Sequence, residues 1–141
     1  QVDRILQILR RLRARNGAVV FGGDLNLLPP GTRKTSDFAD ESNCDDPSFE
    51  TPSYAKRLHL LKPLYERLTP AVPLQDYLQQ PDEHYTYSGD PDVGWTRKLD
   101  YLFSSHGFAP DTVTTHQGTD PDTTPTLPLS DHAPLSAQPT H

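Results

Sequence analysis

The sequence predicts an α/β fold, and three features carry that expectation. Residues 1–15 place Val2, Ile5, Leu6, Leu9 and Leu12 at helical spacing, so an amphipathic helix opens the chain. Ala18, Val19, Val20 and Phe21 form an apolar, β-branched run that ends at Gly22-Gly23, the pattern of a buried strand. Asn16-Gly17 stops the helix before that strand, and a helix feeding a strand through a tight turn is the unit from which α/β proteins are built.

The 141 residues suffice for one domain with a modest core. Hydrophobic residues are only 33% of the chain, and its 15 prolines are about twice the usual share of roughly 5%. Short elements joined by rigid, irregular connections are expected. The chain begins with Gln1 and holds no methionine; the expectation is a partial domain spanning residues 1–141, with part of its core supplied upstream. A net charge of −6 and a pI near 5.4 disfavour a generic nucleic-acid coat. They leave open an enzyme that handles phosphate esters through bound metal ions, which supply positive charge locally. Cys44 is alone, so no internal disulfide forms and compartment stays unassigned. No apolar run approaches the roughly 18 residues of a membrane span.

Arg4, Arg11 and Arg15 lie largely off the apolar face of the first helix and read as a solvated face with cations near its C-terminal end. Residues 31–53 are polar and acidic. They read as a long surface loop with a short helical turn near 36–41, and their length allows a lid or substrate-selecting role. The calcium-loop spacing of alternating carboxylates is absent there. Residues 54–68 carry Leu58, Leu61, Leu64, Tyr65 and Leu68 at helical spacing, with Pro63 in the first turn of a second short helix. Pro70 and Pro73 stop it, and residues 74–78 form a further short segment. Residues 84–87, 97–104 and 108–117 are strand candidates. A turn at 88–91 follows the first of them. Residues 119–128 form a Pro- and Thr-rich loop before a final short strand.

Polar groups stand at or inside these apolar runs in three places. Asp24 and Asn26 follow the first strand two residues apart, and alternation along extended backbone would point them the same way. Asp100 interrupts an apolar run, and Asp131-His132 precedes the last strand. Each alone is ordinary: a turn, a satisfied buried carboxylate, a polar loop. Together, in this order, they form a joint signal.

Gly23-Asp24-Leu25-Asn26, Leu99-Asp100-Tyr101 and Ser130-Asp131-His132-Ala133-Pro134 resemble the C-terminal motifs of the endonuclease/exonuclease/phosphatase superfamily. Tyr85-Thr86-Tyr87 and Gly94-Trp95 further resemble its abasic-endonuclease branch, although Thr96, Arg97 and Lys98 make a longer spacer before Leu99 than that branch has. The resemblance implies the C-terminal half of a four-layer α/β sandwich, two β-sheets flanked by helices. The family's metal-binding glutamate would lie upstream, so little hydrolysis is expected of this half alone. The implied activity is divalent-metal-dependent hydrolysis of a phosphate ester: nucleic acid, phospholipid head group or small phosphoester. The alternative is a non-catalytic binding module of the same fold.

Such hydrolysis needs an activated water, charge relief on the phosphoryl oxygens and help for the leaving oxygen. By resemblance, Asp24 handles the attacking water and touches the metal, and Asn26 donates to a phosphoryl oxygen or fixes the water. Asp131 helps hold Mg²⁺, with Mn²⁺ as a substitute, because hard cations take carboxylate and water oxygens. His132 stabilises developing charge, and Asp100 accepts its other ring N–H and favours the imidazolium. Trp95 and Tyr87 offer an aromatic wall to a substrate, against the alternative of ordinary packing. A serine nucleophile at Ser130 is rejected, since no Gly-x-Ser-x-Gly elbow exists. His59, His84, His106, His116 and His141 lack zinc-ligand spacing. No stable protein partner is implied.

Overall fold

The computed structural model describes residues 2–14, 17–32, 57–88, 94–118 and 130–140. The expected acidic loop, its helical turn at 36–41, most of the turn at 88–91 and the loop at 119–128 lie outside the described residues. What is described is mixed α/β: helices packed with two small antiparallel sheets.

Helix α1 (Val2–Arg13) carries Asp3 in its first turn and Arg10, Arg11 and Arg13 in its last, the charge order that suits the helix dipole. Its Leu6 and Leu9 are buried. Strand β1 (Val20–Asp24) follows and pairs antiparallel with β3 (Asp100–Ser104), in a register that sets Val20 opposite Ser104 and Asp24 opposite Asp100. The expected buried strand is an edge strand. Among the described residues its one neighbour is β3, and Val20 is 47% exposed. Burial is concentrated instead in β3, which has a strand on each side.

A 3-10 turn (Leu58–Leu60) breaks at Leu61 and gives way to α2 (Lys62–Arg67), with Pro63 in its first turn. That is the break the sequence predicts: the first turn has no intrahelical acceptor to lose, so proline costs nothing there. Beyond it, Thr69–Pro70 form a short strand, β2, on the far edge of β3 where a stop was expected. Pro70 is tolerated because an edge strand has one side free of ladder bonds. Helix α3 (Leu74–Gln79) buries Tyr77. The core joins Leu6, Leu9 and Val19 to Leu61, Leu64, Tyr101 and Phe103. Tyr65 meets the Tyr101 and Phe103 rings edge-on, with centroids 6.5 and 5.2 Å away, a favoured aromatic geometry.

Two strand expectations contract. Residues 81–84 form a 3-10 turn (Pro81–His84); of 84–87, only Tyr87 pairs, bridging Arg97 on one side and His132 on the other. Within 108–117, Phe108 bridges Pro139 and only β4 (Thr114–Thr115) pairs with β5 (Leu135–Ser136). Between them Asp111 adopts a left-handed φ of 58°, and Thr112 Oγ1 donates to Ala109 O at 2.7 Å. That turn divides what reads as one strand.

Candidate functional site

The β1–β3 register brings two of the predicted groups together. Asp24 and Asp100 are direct antiparallel partners, so their side chains leave the sheet on the same face. Both stand at the end of their strand where pairing stops, which leaves the carboxylates accessible: Asp24 is exposed and Asp100 half-buried.

Asn26 reaches Asp24 by a route other than strand alternation. The chain leaves β1 after Asp24, and Asn26 takes a left-handed φ of 49°, a conformation asparagine tolerates better than most residues. Its backbone N–H donates to Asp24 Oδ1 at 2.8 Å, and its side-chain Nδ2 donates to Asp24 Oδ2 at 2.9 Å. The motif is an Asx turn closed a second time by the amide. Both Asp24 oxygens are thereby fixed in direction, and each keeps a lone pair for another partner. Asn26 thus bonds to Asp24 through both its backbone and its side-chain amide.

His132 Nδ1 donates to Asp100 Oδ2 at 2.7 Å, a short, charge-assisted bond. Nε2 has no partner among the described residues and faces outward from that bond. Burial works against the imidazolium. The Asp100 hydrogen bond and the charges of Asp100, Asp24 and Asp131 outweigh burial and hold the His132 pKa above its ordinary value. The neighbouring Ser130 Oγ accepts the His132 backbone N–H at 3.0 Å, a turn-capping use of the hydroxyl. Tyr87 packs edge-on against the imidazole, centroids 5.2 Å apart. Trp95 instead spends its indole N–H on Gln117 O at 2.7 Å.

Thr86, fully buried, locks these pieces together. Its Oγ1 accepts the Leu99 and Asp100 backbone N–H groups at 3.0 and 2.9 Å. Its carbonyl accepts Ala133 N–H at 2.8 Å. Tyr101 OH donates to Leu27 O at 2.6 Å and lies 3.1 Å from Lys98 O, tying the loop after β1 to the entry of β3. Lys98 is 1% exposed; its Nζ donates to Asp100 O at 3.0 Å and lies 5.2 Å from the Tyr101 ring centroid. Burial pulls its pKa down to about 8, and Asp100 partly offsets that. Sequence reasoning singled out none of these supporting roles. For Lys98 the available signal was a cation two residues before Asp100 in an apolar run. For Thr86, the signal was only a hydroxyl between two tyrosines.

Among the described residues, no group of three or more His, Cys, Asp or Glu side chains is arranged to hold a metal ion. Asp24 and Asp131 are both exposed and both close enough to His132 to raise its pKa. Two exposed carboxylates suit Mg²⁺, which binds one or two of them and keeps several waters; they do not suit a closed zinc site. Among the described residues no helix is long and apolar enough to cross a membrane. Set against protein-family models, curated proteins and solved structures, the chain matches none.

Proposed function

We propose that this chain carries the water- and phosphate-handling edge of a divalent-metal-dependent phosphoester hydrolase. In this reading the two small sheets belong to the C-terminal half of a four-layer α/β sandwich. The observation that carries the proposal is the 2.7 Å bond between His132 and Asp100, placed by strand register beside an Asp24 that Asn26 holds at both oxygens. A carboxylate-backed imidazolium, a fixed carboxylate and a further exposed aspartate are the groups that hydrolysis of a phosphate ester requires.

Asp24 accepts the proton, or a hydrogen bond, from the attacking water through the lone pairs Asn26 leaves free. His132, whose imidazolium form Asp100 favours by accepting at Nδ1, in that form offers Nε2–H to a phosphoryl oxygen as charge builds there. Asp100 stands behind the ring and fixes its orientation. Asp131 and Asp24 would hold Mg²⁺ or Mn²⁺, which when bound neutralises phosphoryl charge and lowers the pKa of its water. Tyr87 closes one side of the imidazole and limits the approach of bulk water.

The test is hydrolysis of bis-p-nitrophenyl phosphate by the full natural chain with Mg²⁺. Asp24→Ala and His132→Ala should each lower turnover by about a hundredfold or more with an unchanged circular dichroism spectrum, and chelation should abolish it. Near-normal turnover in either variant would overturn the assignment of roles. Saturable binding of the ester with no metal-dependent turnover would instead favour a binding module.

A further inference from the structure

A cavity lies at the other end of the sheet from Asp24, where Ser105 N–H meets Val19 O at 2.9 Å. Val20 to Asp24 is four strand steps, so the cavity stands roughly 13 Å from the Asp24 end of β1. It encloses about 260 Å³ between α1 and the end of α2. Leu6, Leu9 and Leu68 line it with hydrocarbon, and Arg10, Arg13 and Arg67 stand around it. All three arginines are exposed, and none makes an ion pair among the described residues. The chain has 19 carboxylate side chains against 13 lysines and arginines, so acid is abundant; yet none of the described residues lining this cavity is acidic, and cations from two helices converge there.

We infer that this cavity binds a small anionic amphiphile, a medium-chain carboxylate, with its hydrocarbon against Leu6, Leu9 and Leu68 and its head among the three arginines. Three like charges around one apolar hollow repel one another, and an anion seated between them reverses the sign of that interaction. Guanidinium groups match a carboxylate with paired N–H donors. The hydrocarbon floor adds affinity that a bare anion would not gain. At about 30 Å³ per water-sized group the volume admits roughly nine such groups, close to the size of octanoate. The inference is independent of the reading of the His132 site.

The experiment is a methyl-detected NMR titration of the full chain with octanoate, with acetate and octanol as probes that lack the tail or the charge. Octanoate should saturate, with shifts at the Leu6, Leu9 and Leu68 methyls, and should bind at least about tenfold tighter than either control. Arg67→Ala should weaken it about tenfold; Arg67 is exposed, so this variant keeps the fold. Arg4→Ala, on the same helix but bonded to Gln7 at 3.5 Å and outside the cavity, should leave it unchanged. Octanol binding as tightly as octanoate, acetate doing so, an indifferent Arg67→Ala, or no saturation would each overturn the proposal.

Discussion

His132 and Asp100 illustrate how one hydrogen bond sets both a charge state and a pH dependence. The folded pKa of His132 is raised, so protonation favours the fold. The stabilisation is complete below the unfolded value of 6.5 and is lost as pH rises through the folded value. Asp100→Asn removes the acceptor's charge while keeping its shape. An NMR titration of the His132 ring should then show its pKa fall relative to the native chain; an unchanged midpoint would mean that Asp24 and Asp131 carry the effect. At this scale the sequence was informative about which residues meet and less so about how the backbone brings them together. The Asp100–His132 pairing was expected and is seen. Asp24 and Asn26 were expected to point the same way by strand alternation; in the structure they are hydrogen-bonded to each other. That link arises from the left-handed conformation of Asn26, which no side-chain periodicity encodes.

At the scale of elements, Gly22 shows why the glycine pair before Asp24 matters twice. A Cβ at Gly22 would stand 2.5 Å from Leu102 Cδ2 and 2.5 Å from the Tyr101 carbonyl oxygen. The first neighbour can swing away; the second belongs to the paired strand and cannot. Gly22→Ala should therefore part β1 from β3, destabilising the chain by about 1–3 kcal/mol and shifting Asp24 against Asp100. A chemical-denaturation curve checks the first effect, and one superimposable on the native curve would show that the ladder absorbs the methyl. Elements with strong local signals were legible in the sequence. Pro63 marked the start of α2, and the helical spacing of Leu6 and Leu9 marked α1. Those decided by pairing were not. β2 forms at a proline because β3 is there to receive it. Residues 108–117 split because Pro110 and Asp111 turn the chain, so only its two ends find partners.

Across the whole molecule, buried titratable groups predict an alkaline stability profile with a maximum. Lys98, depressed to about 8, is costly to bury while charged. That cost is relieved between pH 8 and its unfolded value of 10.5, where the unfolded chain binds the extra proton, so stability rises with pH. Burial raises the phenols of Tyr65, Tyr77 and Tyr101, Tyr77 to about 12. Above pH 10 the folded chain binds more protons than the unfolded one, so stability falls. Denaturation midpoints should climb from pH 8 to about 10 and then drop, and Lys98→Met should flatten the climb. A monotonic profile in the native chain would mean that these groups are hydrated in the fold.

Thr86 binds the head of β3 with its hydroxyl and the 133 segment with its carbonyl, while His132 meets Asp100 across 32 residues of chain. The pair therefore belongs to no single element. Detachment of the C-terminal segment alone, an opening far smaller than global unfolding, would dissolve the pair while β1, β3 and the core stayed folded. The pairing and the fold are thus separable in this protein, and the first can vanish while the second persists.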